Sequence, residues 1–159
     1  MKEKYQDTLI IIKPDALQRS LLGDIISRFE KKGLQIKAVK MLKMGDVIIE
    51  EHYQHHLTKP FFPGLKSFMK TAPVVVIVLS GIEAISAVRL LVGPVDGAKA
   101  DAGSIRGDFS LNTQSNIVHA SDSIESAAAE IKRFFKDDEI FDYNKPDAPY
   151  IYANEAIWD

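Results

Sequence analysis

His119 is the residue of this chain best placed to do chemistry. In Asn116-Ile117-Val118-His119-Ala120-Ser121-Asp122-Ser123 it separates a short apolar run from a cluster of helix-starting residues. Ile117 and Val118 read as the end of a buried strand. Ser121, Asp122 and Ser123 are all good N-cap residues, and Glu125 lies three positions after Asp122. Ile124, Ala127, Ala128, Ile131, Phe134 and Phe135 then make the apolar side of a helix. His119 thus falls where a strand gives way to a helix, and Ala120 leaves space beside its ring. Imidazole is near its own pKa at neutral pH, so nucleophile, general base and metal ligand are all open to it. Glu130, in the following helix, can accept a hydrogen bond from the ring nitrogen not in use. An isolated histidine is more often a satisfied structural residue, and the rest of the chain weighs against that here.

Other residues of chemical interest are scattered. Lys13 closes the β-rich run Thr8 to Ile12, because Pro14 cannot extend a central strand. A lysine there needs an anion, a carboxylate such as Asp15, or a route to water. His52, with His55 or His56, has helical spacing that can bind a metal, although a polar helix face explains these residues more simply. Phe61 and Phe62, between Pro60 and Pro63, form either a hydrophobic staple or a flat face for a planar ligand. Arg89 occupies the last turn of a helix, where its charge suits the dipole. Pro94 to Gln114 is long and polar, with Gly97, Gly103, Gly107 and Arg106. Such loops are usually functional or disordered. Gly103-Ser104-Ile105-Arg106-Gly107-Asp108 lacks the Gly-Lys-Ser/Thr ending of a Walker loop.

The elements that must position these residues follow from periodicity. Thr8 to Ile12 and Pro73 to Leu79 are buried strands, the second ended by Gly81. Leu34 to Leu42 is a half-exposed strand whose phase slips at Ala38-Val39, which predicts a bulge. Helices are expected after a cap at Ser20, after a cap at Asp46 and on to about Leu57, before Thr71, over Ile82 to Val92, and after Ser121 to Ser123. The order predicts an α+β protein: a ferredoxin-like βαββαβ sandwich with a four-stranded antiparallel sheet, helices on one face and a long loop. With 159 residues, 46% hydrophobic and 26% charged, one domain with a real core is expected. Its core spans about residues 8–135, and an extension spans about 136–159. Tyr143, Tyr150, Ile151, Tyr152 and Trp158 make that extension too apolar for a free tail.

Composition also excludes. A net charge of −2 does not suggest a broad basic face for nucleic acid. The absence of Cys rules out disulfides, thiolate catalysis and thiolate zinc sites, and it fits a reducing cytosol. No apolar run approaches a membrane span, and Met1 to Asp7 lacks the apolar core of a signal peptide. A cytoplasmic protein is expected.

Taken together, the motifs resemble those of the nucleoside diphosphate kinase family. Asn116-x-x-His119-Ala120-Ser121-Asp122 is similar to its active-site signature. Lys13-Pro14-Asp15, Tyr53, Pro60-Phe61-Phe62, Arg89 and Gly103-Ser104-Ile105-Arg106-Gly107-Asp108 accompany it in the same order. The likeness runs from about Thr8 to Phe135, with a weaker echo to Tyr152. It implies transfer of the γ-phosphate of ATP to nucleoside diphosphates by a ping-pong mechanism, with His119 carrying the phosphate between half-reactions. It further implies that Glu130 and Ser121 orient the ring, and that Arg89 and Arg106 grip phosphate oxygens. Lys13 and Asn116 meet ribose hydroxyls and nearby phosphates, Phe61 stacks on the base, Leu65 closes the pocket edge, and Tyr53 supports Lys13 and the histidine. Mg²⁺ is implied, held mainly by nucleotide phosphates with no direct protein ligand. Assembly as a hexamer or tetramer is implied as well.

One departure stands out. Where the family usually has a phosphate-contacting threonine after Arg89, this chain has Val95, and Asp96-Gly97 lacks the usual proline. Val95 is the sole sequence support for a second possibility, a nucleotide-binding regulatory protein on the same fold. A third, a single-stranded RNA or DNA binder on a βαββαβ sheet, lacks the aromatic ribonucleoprotein motif and is disfavoured by the net charge of −2.

Overall fold

The structure is a computed structural model that describes residues 4–152. Strand β1 (Tyr5–Ile12) lies at the centre of the molecule. Leu9, Ile10, Ile11 and Ile12 are all fully buried. An uninterrupted apolar run of this kind suits a strand covered on both faces. Because side chains alternate, Ile10 and Ile12 enter one core cluster while Leu9 and Ile11 enter another.

Helices α1 (Pro14–Gln18) and α2 (Leu22–Lys31) lead to β2 (Gln35–Leu42). Then come α3 (Asp46–His52), α4 (Phe62–Met69), β3 (Val74–Ile82) and α5 (Ala84–Val92). Helix α6 (Ile105–Phe109), β4 (Val118–Ala120), α7 (Ile124–Phe134) and the short α8 (Ala148–Ile151) complete the described chain. The sheet order is β2-β3-β1-β4, and β1 pairs antiparallel with β3 and β4, as does β2 with β3. This is the expected ferredoxin-like arrangement. The crossover helices α2 and α5 share one face, through Ile25, Phe29, Ala84 and Val88. The other face is covered too, by Ile49, Tyr53, Leu65, Met69 and Phe134 from α3, α4, α7 and the turn after α3.

Several local expectations need correction. Ser20 does not cap α2; Leu21 holds that position, and Ser20 has φ 57°. Gly45 rather than Asp46 precedes α3, which ends at His52 before a 3₁₀ turn over Gln54–His56. Gly81 does not end β3, which continues to Ile82. A Cβ there would meet the Tyr152 hydroxyl at 2.9 Å, so the glycine admits the tail. The register shift in β2 falls between Ile36 and Ala38, one residue before the expected slip.

The described part of the C-terminal extension packs on its own chain. The Phe141 N–H donates to the Lys37 carbonyl at 2.9 Å. The Tyr143 and Tyr152 hydroxyls donate to the carbonyls of Ile36 and Gly33. Trp158 lies outside the described residues. No helix among the described residues is long and apolar enough to cross a membrane.

Candidate active site

His119 is the middle residue of β4 and pairs across the sheet with Ile11. It therefore faces the layer of α3, α4 and α7. The strand is only three residues long, because Ile117 breaks the extended run with φ 76°. A β-branched residue in that region is strained by about 1–3 kcal/mol. It is held there from both sides: its N–H donates to Asp15 Oδ2 at 3.1 Å, and its carbonyl accepts from the Lys13 N–H at 2.9 Å. Sequence periodicity read Ile117 as plain strand, and local pattern carries no signal for that anchor.

The ring of His119 is clamped on one side. Its Nε2 lies 3.0 Å from Glu130 Oε1, on the inward face of α7. Ser121 Oγ donates to Glu130 Oε2 at 2.5 Å and accepts the Leu9 N–H at 3.2 Å. Ser121 is thus a brace for the carboxylate. The cap of α7 is Ser123, whose Oγ accepts the Ser126 N–H at 3.0 Å. A carboxylate accepting from Nε2–H places the neutral ring's lone pair on Nδ1. Nδ1 is the nitrogen left for an electrophile.

His119 opens into a cavity of about 470 Å³, whose wall includes Lys13, Tyr53, Phe61, Leu65, Arg106 and Asn116. Seven of the ten residues anticipated from sequence therefore share one space with His119 counted among them. Glu130 and Ser121 stand behind it. Arg89 does not line the cavity and is exposed, but its charge acts on both Arg106 and Asp122. Val95, His56, Thr113 and Gln114 also line it, and sequence reasoning gave the last three no part in the site. A wider hollow of about 690 Å³ beside Tyr5 and α7 lies away from His119. Its Lys37 is tied to Asp7 and Asp142, so it does not suit an anion.

Lys13 is buried at 6% exposure. Its ammonium donates to Asn116 Oδ1 at 2.6 Å and to the Gln114 carbonyl at 3.4 Å, not to Asp15. Burial first, and the Arg106 charge second, push its pKa down to about 8. Asn116 in turn donates from Nδ2 to the Val95 carbonyl at 2.9 Å.

Arg106 belongs to α6, a helix inside the stretch expected to lack periodic order. Ser104 caps it by accepting the Gly107 N–H at 3.0 Å. The guanidinium donates to the carbonyls of Asn116, Gly93 and Val118, at 3.2, 3.0 and 2.7 Å. Arginine has five N–H donors, so some remain for a ligand in the cavity. Burial, then Arg89, lowers its pKa to about 10, which still leaves it charged at neutral pH.

Phe61 is half exposed on the cavity wall, while Phe62 is buried in the core, so the two aromatics divide the roles that sequence left open. Tyr53 lines the same cavity as Lys13 and His119. Its hydroxyl donates to Met69 Sδ at 3.9 Å, burial raises its pKa, and its ring stands 6.4 Å from that of His119.

The three histidines of the α3 region separate. The rings of His55 and His56 lie 4.0 Å apart, tilted by 54°, and His52 turns inward onto His119. Donor atoms of His52, His119 and Glu130 lie within 4.8 Å of one another. Two imidazoles and a carboxylate are zinc-type donors, but Arg133 lies against His52, and Lys13 and Arg106 share the cavity. His52 Nε2 is buried and has no hydrogen-bond partner among the described residues, which costs about 1–3 kcal/mol. The cavity wall carries no carboxylate among the described residues. A hard divalent cation fits here only if phosphate oxygens bring it.

An antiparallel ferredoxin-like sheet that presents an imidazole, paired with a buried carboxylate, to a cation-lined cavity suits a protein of the phosphoryl-transfer class. Residues 6–140 match the family profile described as nucleoside diphosphate kinase. The chain belongs to that family, and its activity is phosphoryl transfer between nucleotides. It is 51% identical over 152 residues to a nucleoside diphosphate kinase of Parabacteroides distasonis, covering 96% of this chain and 99% of that one. With the Staphylothermus marinus enzyme it shares 54% over 136 residues, 86% and 96% of the two chains. Among solved structures, the Halobacterium salinarum enzyme in complex with CDP superposes with a TM-score of 0.90 at 38% identity, covering 92% and 98%. The Borrelia burgdorferi enzyme with vanadate and ADP, a transition state mimic, gives 0.89 at 35%, covering 94% and 98%. Family membership implies a kinase that needs a divalent metal.

Proposed function

We propose that His119 Nδ1 is the nucleophile of a two-step exchange. In the first step Nδ1 attacks the γ-phosphorus of ATP. A P–N bond forms, the bond from phosphorus to the β,γ-bridging oxygen breaks, and ADP leaves with that electron pair. In the second step a β-phosphate oxygen of a nucleoside diphosphate attacks the same phosphorus, and the P–N bond returns its electrons to Nδ1. One site then serves donor and acceptor in turn.

The clamp supports this reading most directly: Glu130 at 3.0 Å from Nε2 fixes the tautomer, and Ser121 braces Glu130. Glu130 also offsets the positive charge that the ring gains with the phosphoryl group. Arg106, with Arg89 nearby, holds phosphate oxygens, a task suited to guanidinium forks. Lys13 and Asn116 meet the ribose and adjacent phosphates. Phe61 stacks on the base, with Leu65 at the edge, and a π-face accepts every base. Tyr53 packs beside the ring. The ion is Mg²⁺, which neutralises phosphate charge when bound and is held by nucleotide oxygens.

We further propose one domain over residues 1–159, a cytoplasmic location, and a homo-oligomer of six or four subunits. Incubating the protein with ATP, GDP and Mg²⁺ should yield GTP and ADP in equal amounts. Nucleotide binding with no GTP formed would reject the enzyme in favour of a binding protein.

A further inference from the structure

This inference rests on the reading of His119 as nucleophile and concerns the histidine behind it. His52 ends α3 and is 5% exposed. Its ring stands edge to face on that of His119, with centroids 4.5 Å apart and planes at 80°. It also meets the rings of Tyr53 and Phe134. On its outer side, Arg133 Nη1 lies 3.4 Å from His52 Nδ1, and Glu51 holds Arg133 at 3.0 Å. A guanidinium only donates, so Nδ1 is the accepting nitrogen and the neutral ring carries its proton on Nε2. That N–H has no hydrogen-bond partner among the described residues. A ring nitrogen of His52 nevertheless lies within 4.8 Å of donor atoms of both His119 and Glu130. With Nδ1 turned to Arg133, Nε2–H is the group left for that pair.

Packing alone does not call for a histidine here. Phenylalanine would fill similar space between Tyr53 and Phe134 without burying the unpaired Nε2–H, at the loss of the long Arg133 contact. Burial, followed by the neighbouring His119 and then Arg133, pushes the His52 pKa down to about 2. The ring is therefore neutral throughout the working range. Local inconsistencies of this kind collect at functional sites.

We propose that His52 is a positioning residue for phosphoryl transfer: its ring fixes the plane of His119, and its Nε2–H steadies the His119–Glu130 pair. It touches neither nucleotide nor phosphorus. When Nδ1 bonds to phosphorus, the imidazole becomes more positive and leans harder on the Glu130 carboxylate. A neutral donor at the back of that pair favours the ionised carboxylate and adds no competing charge. A cationic residue in the same place would repel the phosphorylated ring.

The test compares the full-length protein with His52→Phe and His52→Gln, using rapid-quench phosphorylation by MgATP, nucleotide binding and thermal melting. In His52→Phe the phosphorylation rate should fall by about tenfold or more, with nucleotide Kd held within about twofold. Its Tm should stay close to the parent's, because losing the unpaired Nε2–H offsets losing the long Arg133 contact. His52→Gln, which keeps an N–H donor, should phosphorylate faster than His52→Phe. A wild-type rate in His52→Phe overturns the proposal, and so does a Gln variant no faster than the Phe variant. If His52→Phe does not fold, His52→Gln against His52→Ala decides: a faster Gln variant supports the proposal and equal rates overturn it. A parent protein that takes no phosphate from ATP overturns the reading of His119 itself, whereas a labelled parent with a fully active Phe variant overturns only this inference.

Discussion

Glu130 Oε1 lies 3.0 Å from His119 Nε2 and Ser121 Oγ lies on the other carboxylate oxygen, so one buried hydroxyl sets the aim of the imidazole through one carboxylate. A hydrogen bond to a charged group contributes about 1.5–3 kcal/mol. Glu130→Gln should therefore slow phosphorylation of His119 roughly ten- to a hundred-fold. Ser121→Ala leaves the carboxylate in place and should lose about tenfold or less. Single-turnover rates check both, and an unchanged Glu130→Gln rate would remove Glu130 from the account.

Lys13 gives the free protein a basic limb. Its pKa of about 8 lies below the ordinary lysine value because burial and Arg106 disfavour the charged form. Below pH 8 the ammonium is charged and attracts phosphate; above it, that attraction is lost. The profile of kcat/KM, which reports the free enzyme, should fall through a limb near pH 8. The limb for kcat should lie higher, because a bound anion favours the ammonium. Lys13→Arg keeps its charge and should lose the limb even if its rate is lower. For stability the sign is opposite. The unfolded chain holds this proton to about pH 10.5 while the folded chain releases it near 8, so Lys13 contributes increasing stability as pH rises through that window.

Val95 lines the cavity, 59% exposed, and its carbonyl already holds Asn116. Its backbone is in use, and its side chain offers a ligand only methyl groups. Val95→Thr adds a hydroxyl at this wall without disturbing that carbonyl. Turnover should rise, up to about tenfold if the hydroxyl reaches a phosphate oxygen. Steady-state kcat measures it, and an unchanged or lower value rejects the idea.

Gly107 sits one residue from Arg106, and a Cβ there would meet the Asp101 carbonyl oxygen at 2.0 Å. The obstacle is backbone, so the loop must shift and carry Arg106 away from Asn116, Gly93 and Val118. Gly107→Ala should cost about 1–3 kcal/mol of stability, seen as a lower Tm, and raise KM for nucleotides. A variant with parental Tm and KM would show that the loop yields freely.

The fold is legible where one strand or helix decides its own burial. The apolar runs of β1 and β3 and the helical spacing of α2 and α5 are enough to give the βαββαβ succession, though not the strand order within the sheet. Leu9 to Ile12 read as central strand because nothing polar interrupts them. Legibility fails where a distant residue decides. Gly81 stays in β3 because it pairs with Gln6 of β1, its missing side chain leaving room for Tyr152, and Ile117 leaves the extended region because Asp15 and Lys13 hold its backbone. The same holds at the site. Motif order marks His119, Lys13 and Arg106, and helical spacing puts Glu130 within reach. Nothing local links His52 to His119, since only the packing of α3 against β4 and α7 brings them together. The helix around Arg106 is hidden because its glycines look like loop, although Ser104 is a recognisable cap.

Transfer by way of His119 requires a phosphorylated state of the protein between the two half-reactions. Incubation with ATP labelled in the γ-phosphate, followed by mass mapping of the acid-labile product, tests it most directly. One phosphate is expected on His119, lost on adding GDP with GTP appearing, and no label in His119→Ala. A His119→Ala protein that still takes up acid-labile phosphate, or a parent that forms GTP without any phosphorylated state, would contradict it.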